Sequence, residues 1–160
     1  MEENENIPES IWAPGVPQHI EDKDKITPEE LHIMAIDYVV KNCLLKRGFT
    51  IEQGFPRKEF PNVVCKKDDQ TYAIVIYPSV YPHYVAINDQ YRLQLVELAK
   101  KNNATALYAA VGYRSIDEAR AKASVMLKGD VFHTAFPGFI ILTDEEKQNM
   151  MVKAEELFRP

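Results

Sequence analysis

Between Thr27 and Gly48 the chain carries a helix signal that is apolar on almost every side. Thr27-Pro28-Glu29-Glu30 is a capping box, in which hydroxyl and carboxylate satisfy each other's backbone donors and proline at the first helical position loses no bond. Apolar residues then recur from Leu31 through Ile36, Val40 and Leu44, with Lys46 closing the run and Gly48 supplying a C-terminal stop. A helix with so wide an apolar surface needs partners on more than one side. It demands a layered domain, and the rest of the chain supplies the layers.

Short runs of β-branched and aromatic residues predict strands at 49–53, 62–66, 72–77, 105–111 and 139–142. Lys67-Asp68-Asp69-Gln70 reads as the hairpin turn between the second and third. Ile87, Tyr91, Leu95 and Leu98 recur at helical spacing and predict a helix over 88–102. Two further capping boxes, Ser115-Ile116-Asp117-Glu118 and Thr143-Asp144-Glu145-Glu146, predict helices over 116–128 and 144–158. The expected fold is α/β: an αβββαβ core with a mixed central sheet flanked by helices, then an extra strand and two C-terminal helices.

A length of 160 residues fits one domain, expected over 26–160. Residues 1–25 contain Pro8, Pro14 and Pro17 among many carboxylates, a composition too polar to offset chain entropy. They are expected to form an extended or disordered leader without which the body still folds, although Ile11, Trp12 and Val16 are suited to docking. Residues 1–30 hold nine acidic side chains and two lysines, whereas the remainder holds 17 basic and 15 acidic ones. The acidity therefore belongs to the leader, and the nearly neutral body lacks the strongly basic footprint of a dedicated phosphate binder. No apolar run approaches the roughly 20 residues of a membrane span, and the acidic N-terminus lacks the features of a secretory signal. Cys43 and Cys65 fit reduced, buried thiols, and with them a cytoplasmic protein.

The spacing of particular residues adds a resemblance. Lys46-Arg47-Gly48-Phe49 joins the first helix to the first strand, Pro61-Asn62 opens the second, and 13 residues separate Asn62 from Val75 across the hairpin. Over roughly residues 28–113 this resembles the PD-(D/E)xK superfamily, the restriction-endonuclease-like nucleases. There a helix supplies a carboxylate, Pro-Asp opens the second strand and Glu-x-Lys lies on the third. The resemblance places Asp37 at the helical carboxylate, Asn62 at the aspartate, Val75 at the third-strand acid and Tyr77 at the lysine. It implies a pseudo-nuclease. An amide is a poor ligand for a hard cation, valine is none, and a phenol is no ammonium. Asp37 has an ordinary alternative use, pairing with Lys41 one turn on.

Among His19, His32, His83 and His133 no pair has metal-ligand spacing, and no phosphate-cradling glycine loop is present, so no cofactor or metal is expected. Seven of the eight tyrosines fall between 72 and 113, which makes the segment after the third strand a candidate ligand site. Tyr77, Tyr81, His83, Tyr84, Arg92 and Arg114 are its candidate residues, suited to stacking and hydrogen-bonding a planar group. The bland alternative is that these tyrosines pack the sheet. Basic pairs at 46–47, 57–58, 66–67 and 100–101 make a phosphate-binding patch if they converge. The functional expectation is a non-catalytic binding or scaffold domain with a nucleic-acid or protein partner. The alternatives are an enzyme of another type acting through the tyrosine-lined cleft, and a homo-oligomer. No membrane partner is expected.

Overall fold

A computed structural model describes residues 10–52, 61–83, 87–143 and 150–152. Helix α1 (Pro28–Val39) starts on the predicted capping box, with Thr27 Oγ1 accepting from Glu30 N at 3.1 Å and Thr27 N donating back to Glu30 Oε1 at 2.9 Å. It continues through a π segment (Val40–Leu44) and a 3₁₀ turn (Leu45–Arg47) to Gly48, whose φ of 83° only glycine adopts freely. Ala35, Ile36, Val39, Val40, Cys43 and Leu44 are buried on one broad face, while Ile33 and Leu45 are exposed on the other. The helix is thus covered from one side and not, as its composition suggests, from several.

Strands β1 (Thr50–Ile51), β2 (Val63–Lys67) and β3 (Gln70–Val80) form an antiparallel meander. Asp68 and Asp69 turn the hairpin with φ of 51° and 68°, the left-handed pair that matches strand twist. Helix α2 (Asp89–Lys101), capped by Asn88, is the crossover to β4 (Ala104–Ser115), which pairs with β3 in parallel from Thr71↔Ala104 to Val80↔Tyr113. Sheet order is β1-β2-β3-β4-β6-β7, with β6 being Phe139–Ile141 and β7 Met150–Val152; β5 (Phe132–Ala135) also pairs with β4, beyond β6.

Alternation along β3 and β4 divides the core in two. Ile74, Ile76, Leu107 and Ala109 pack with α1, whereas Ala73, Val75, Ala106 and Tyr108 pack with Leu95, Val96 and Ala99 of α2. The β2 side of β3 is completed by Asn62 and His32. Asn62 N donates to Ile74 O (2.9 Å), Ile76 N donates to Asn62 Oδ1 (2.7 Å), and His32 Nε2 lies 2.8 Å from Ile76 O. The next residue with this orientation is Pro78, which has no N–H to leave unpaired.

The C-terminal third departs from expectation. In place of a helix over 116–128, α3 spans only Glu118–Lys122 and is capped by Asp117; Ser115 instead ends β4 and accepts from Asp117 N. The chain beyond is drawn out to meet the leader, with Lys25 bridging Leu127, Ile26 N donating to Met126 O and Lys128 N to Asp24 O. The predicted helix over 144–158 is interrupted by β7, which satisfies the open edge of β6; residues 144–149 and 153–160 lie outside the described residues. β5 and β7 were not among the predicted strands.

Residues 10–25 lie along this region, tied to one buried ion pair. Arg120 and Asp130 have side chains 2% and 0% exposed and bond twice, Nε–Oδ2 at 2.8 Å and Nη2–Oδ1 at 3.1 Å. Arg120 Nη1 donates to the carbonyls of Ala13 and Gly15, both at 2.7 Å, and Trp12 Nε1 donates to Lys128 O at 2.7 Å. Burial pushes the Asp130 carboxyl up, but hydrogen bonds from Arg120, Ser10, Val131 N–H and Ser115 outweigh it and hold the group below the ordinary carboxylate range.

Composition alone predicts a body indifferent to its leader, and these bonds reverse that prediction. Deleting residues 1–16 removes both carbonyl acceptors of a buried guanidinium, and is expected to lower the melting temperature by on the order of 10 °C. Because the folded pKa of Asp130 is depressed, its stabilisation is present above the unfolded value of about 3.9 and is lost as pH falls through the folded one. The leader contacts should therefore persist to about pH 4 and fail below it. Equal melts for the two chains at pH 7, or Trp12 fluorescence unchanged down to pH 2, would contradict this account of Arg120.

Candidate functional site

The four positions that the nuclease resemblance singles out do not meet. Asp37 lies on α1 and pairs with Lys41 at 3.0 Å, the ordinary i, i+4 use. Asn62 is buried in the plane of the sheet, its amide oxygen occupied by Ile76 N. Val75, 2% exposed, and Tyr77 point to the other face, under α2. The resemblance, which puts Val75 at the third-strand acid, implies that it faces a shared site; the structure shows it buried. Strand alternation turns it away from α1 and into the α2 core.

The tyrosines separate into two groups. Tyr77 packs on Tyr91 and Tyr108, with ring centroids 6.2 and 5.8 Å apart, and burial followed by the neighbouring phenols pushes its hydroxyl up to about 12. This is the packing role. Arg92 is a strut as well: it is 3% exposed, donates through Nη1 to Thr143 O, and lies 3.4 Å from Asp89. Tyr84 lies outside the described residues.

Tyr81, His83 and Arg114, in contrast, come together at the C-terminal ends of β3 and β4. The Arg114 guanidinium sits over the Tyr81 ring, 4.6 Å from its centroid, and its Nη2 bonds Glu118 at 3.0 and 3.2 Å. Arg114 pairs with His133 across to β5. These four side chains border a hollow of about 270 Å³ whose floor is Ser79, Gly112 and Ala135, neighbours in one row across β3, β4 and β5. A second hollow of about 380 Å³, bordered by Ala110, Phe136 and Pro137, shares the same three floor residues.

Gly112 is the residue here that sequence reasoning passed over. It lies inside the 12-residue strand β4, has no positive φ, and a Cβ placed on it meets only Ala135, at 3.8 and 3.9 Å. Neither a turn nor close packing requires glycine, which costs about 0.5–1 kcal/mol against alanine within a strand. That mid-strand glycine was a readable signal. His133 and Ala135 were not readable, because they sit on a strand the sequence does not announce.

The described basic pairs all lie toward the opposite end of the sheet, 46–47 on the α1 side and 100–101 on the α2 side. Lys66 and Lys67 finish β2 at the hairpin, Lys46 and Arg47 precede β1, whose Thr50 pairs with Lys66, and Lys100 and Lys101 end α2 just before β4 begins beside Thr71. Asp68 and Asp69 at the hairpin tip offset part of the charge. Residues 57 and 58 lie outside the described residues. No helix of the described residues is long and apolar enough to cross a membrane, and no cluster of three or more His, Cys, Asp or Glu side chains suited to a metal ion occurs among them.

A family model described as Domain of unknown function (DUF8840) matches residues 29–142, from the first turn of α1 to just past β6. No curated protein and no solved structure matches the chain.

Two substitutions test these placements. Asn62→Ala strips the buried Ile76 N–H of its acceptor and should cost about 1–3 kcal/mol. Val75→Glu puts a carboxyl among Leu95, Val96 and Ala99, with a cost of about 2–4 kcal/mol or uptake of a proton. Denaturant titration measures both. A Val75→Glu protein as stable as the parent, with an ordinary carboxylate pKa, would place Val75 outside the core described here.

Proposed function

We propose that this chain, which belongs to the DUF8840 family, is a non-catalytic nucleic-acid-binding domain built on a restriction-endonuclease-like core. The observation that carries the non-catalytic reading is the fate of the four nuclease positions. Hydrolysis by that family needs carboxylates that converge on a hard cation, and a lysine beside the scissile phosphate. Here Asp37 stands on the α1 side, Asn62 serves the backbone of β3, and Val75 and Tyr77 are packed beneath α2. The order α1, β1, β2, β3, α2, β4, with a helix on each face of a mixed sheet, supports the kinship.

The partner is inferred from the basic end of the sheet. Three described Lys/Arg pairs arrive there from three different elements, although the body as a whole is nearly neutral. Such a patch gives modest, salt-sensitive attraction to phosphates and carries no base specificity by itself. Binding should be weak and steeply weakened by salt.

The test presents single-stranded, double-stranded and branched DNA and RNA with Mg²⁺ or Mn²⁺. The expected result is no cleavage, with binding that falls as salt rises. Replacing Lys66, Lys67, Lys100 and Lys101 with glutamine should reduce both the affinity and its salt slope. Metal-dependent cleavage that vanishes in Asp37→Ala would overturn the non-catalytic reading, and affinity unchanged in the glutamine variant would overturn the partner.

A further inference from the structure

We infer that the hollow at the far ends of β3 and β4 is a slot for one flat, hydrogen-bonding heteroaromatic ring of the nucleobase type. It is a second site, at the opposite end of the strands from the basic pairs, and it stands or falls separately from them.

The slot exists because one row of the sheet face lacks bulk. Ser79, Gly112 and Ala135 are paired neighbours on three adjacent strands. The row beyond them carries Tyr81, Arg114 and His133. Rows on one face of a strand are about 7 Å apart, so an emptied row leaves the room of one flat side chain. Helix α2 covers the face only as far as Tyr77, Tyr108 and Ala110. A ligand ring standing on the floor takes the place of the absent side chains.

Two features give the ligand its chemistry. The Arg114–Tyr81 stack makes a flat cationic wall, the surface on which aromatic rings are held. His83 and His133 add ring nitrogens that serve as donor or acceptor. Glu118 already neutralises the outer side of Arg114, so an isolated phosphate gains little there. Gly112 is the third indication, a residue that weakens the strand and whose one visible effect is to keep the floor open.

Such a ring arrives either in a free nucleotide or as an unpaired base of a single strand. Isothermal titration of the full chain with the four ribonucleoside 5′-monophosphates, with ribose 5-phosphate as the ring-free control, and with a 12-nucleotide single strand separates these sources. At least one mononucleotide or the single strand should bind at least about tenfold more tightly than ribose 5-phosphate, the magnitude expected of one stacked base. Gly112→Val fills the floor with a strand-favouring side chain. It should melt no lower than the parent while weakening ring binding by about tenfold or more. Tyr81→Ala, at a residue 38% exposed, is the second variant and should weaken binding by a similar factor with little change in melting. A mononucleotide sensitive to both variants identifies the free ligand, and a single strand alone sensitive to both identifies the unpaired base. Equal binding of ribose 5-phosphate, no binding of any ring-bearing probe, or affinities unchanged in both variants would each overturn the slot. None of these results bears on the salt-sensitive binding at the basic end, which Gly112→Val leaves in place.

Discussion

The parallel pairing of β3 with β4 is the constraint from which the other placements follow. Ten consecutive residues run in register, each strand buried on both faces through its middle, so the direction of one side chain decides the direction of all. Once Ile74 and Ile76 are committed to α1, Val75 and Tyr77 are committed to α2. This single choice removes two of the four nuclease positions from any shared site with Asp37. It also sets the two ends of the strands apart, one gathering lysines and arginines, the other lying past the reach of α2 and open.

A second constraint acts away from the sheet. The Arg120–Asp130 pair is buried almost completely, and burial of two charges is not by itself stabilising. What the pair contributes is specificity of position. Its guanidinium donates to Asp130, ten residues on, and to Ala13 and Gly15, more than a hundred residues back, joining the leader to two stretches of the C-terminal third. Loss of any one stretch strands the others with polar groups in a dry place, so the leader, the α3 turn and the loop before β5 behave as one unit.

Legibility in the sequence followed the range of the interactions. The start of α1, the Asp68–Asp69 turn and the α2 span are set by neighbours within a few residues, and their signals were readable. The last third is set by distant partners. Ser115-Ile116-Asp117-Glu118 has the pattern of a cap, yet Ser115 Oγ is engaged with Asp130 and the cap falls to Asp117. Residues 126 and 127 are held by the leader rather than by their own helical spacing. Tyr81, His83 and Arg114, which the structure brings to one hollow, were named from residue type alone. Tyr77 and Arg92 were grouped with them because a sequence does not show which face a strand residue takes or which helix side is buried. The acidity and prolines of the leader concealed its docking for a similar reason: the bonds that hold it run mainly through backbone carbonyls, which composition does not register.

Pro78 has a consequence outside the folded state. β3 carries Ile74-Val75-Ile76, an uncharged, β-branched run of the kind that recruits copies of itself into intermolecular sheets. Helices and neighbouring strands shield such a run only while the protein is folded. A proline two residues further on acts differently, because the missing donor is covalent and persists in a nascent or partly opened chain. A second molecule aligning along that edge meets a break in the bonding pattern just past the isoleucines. The barrier to aggregation is therefore carried by the polypeptide itself, independent of whether the domain has closed around it.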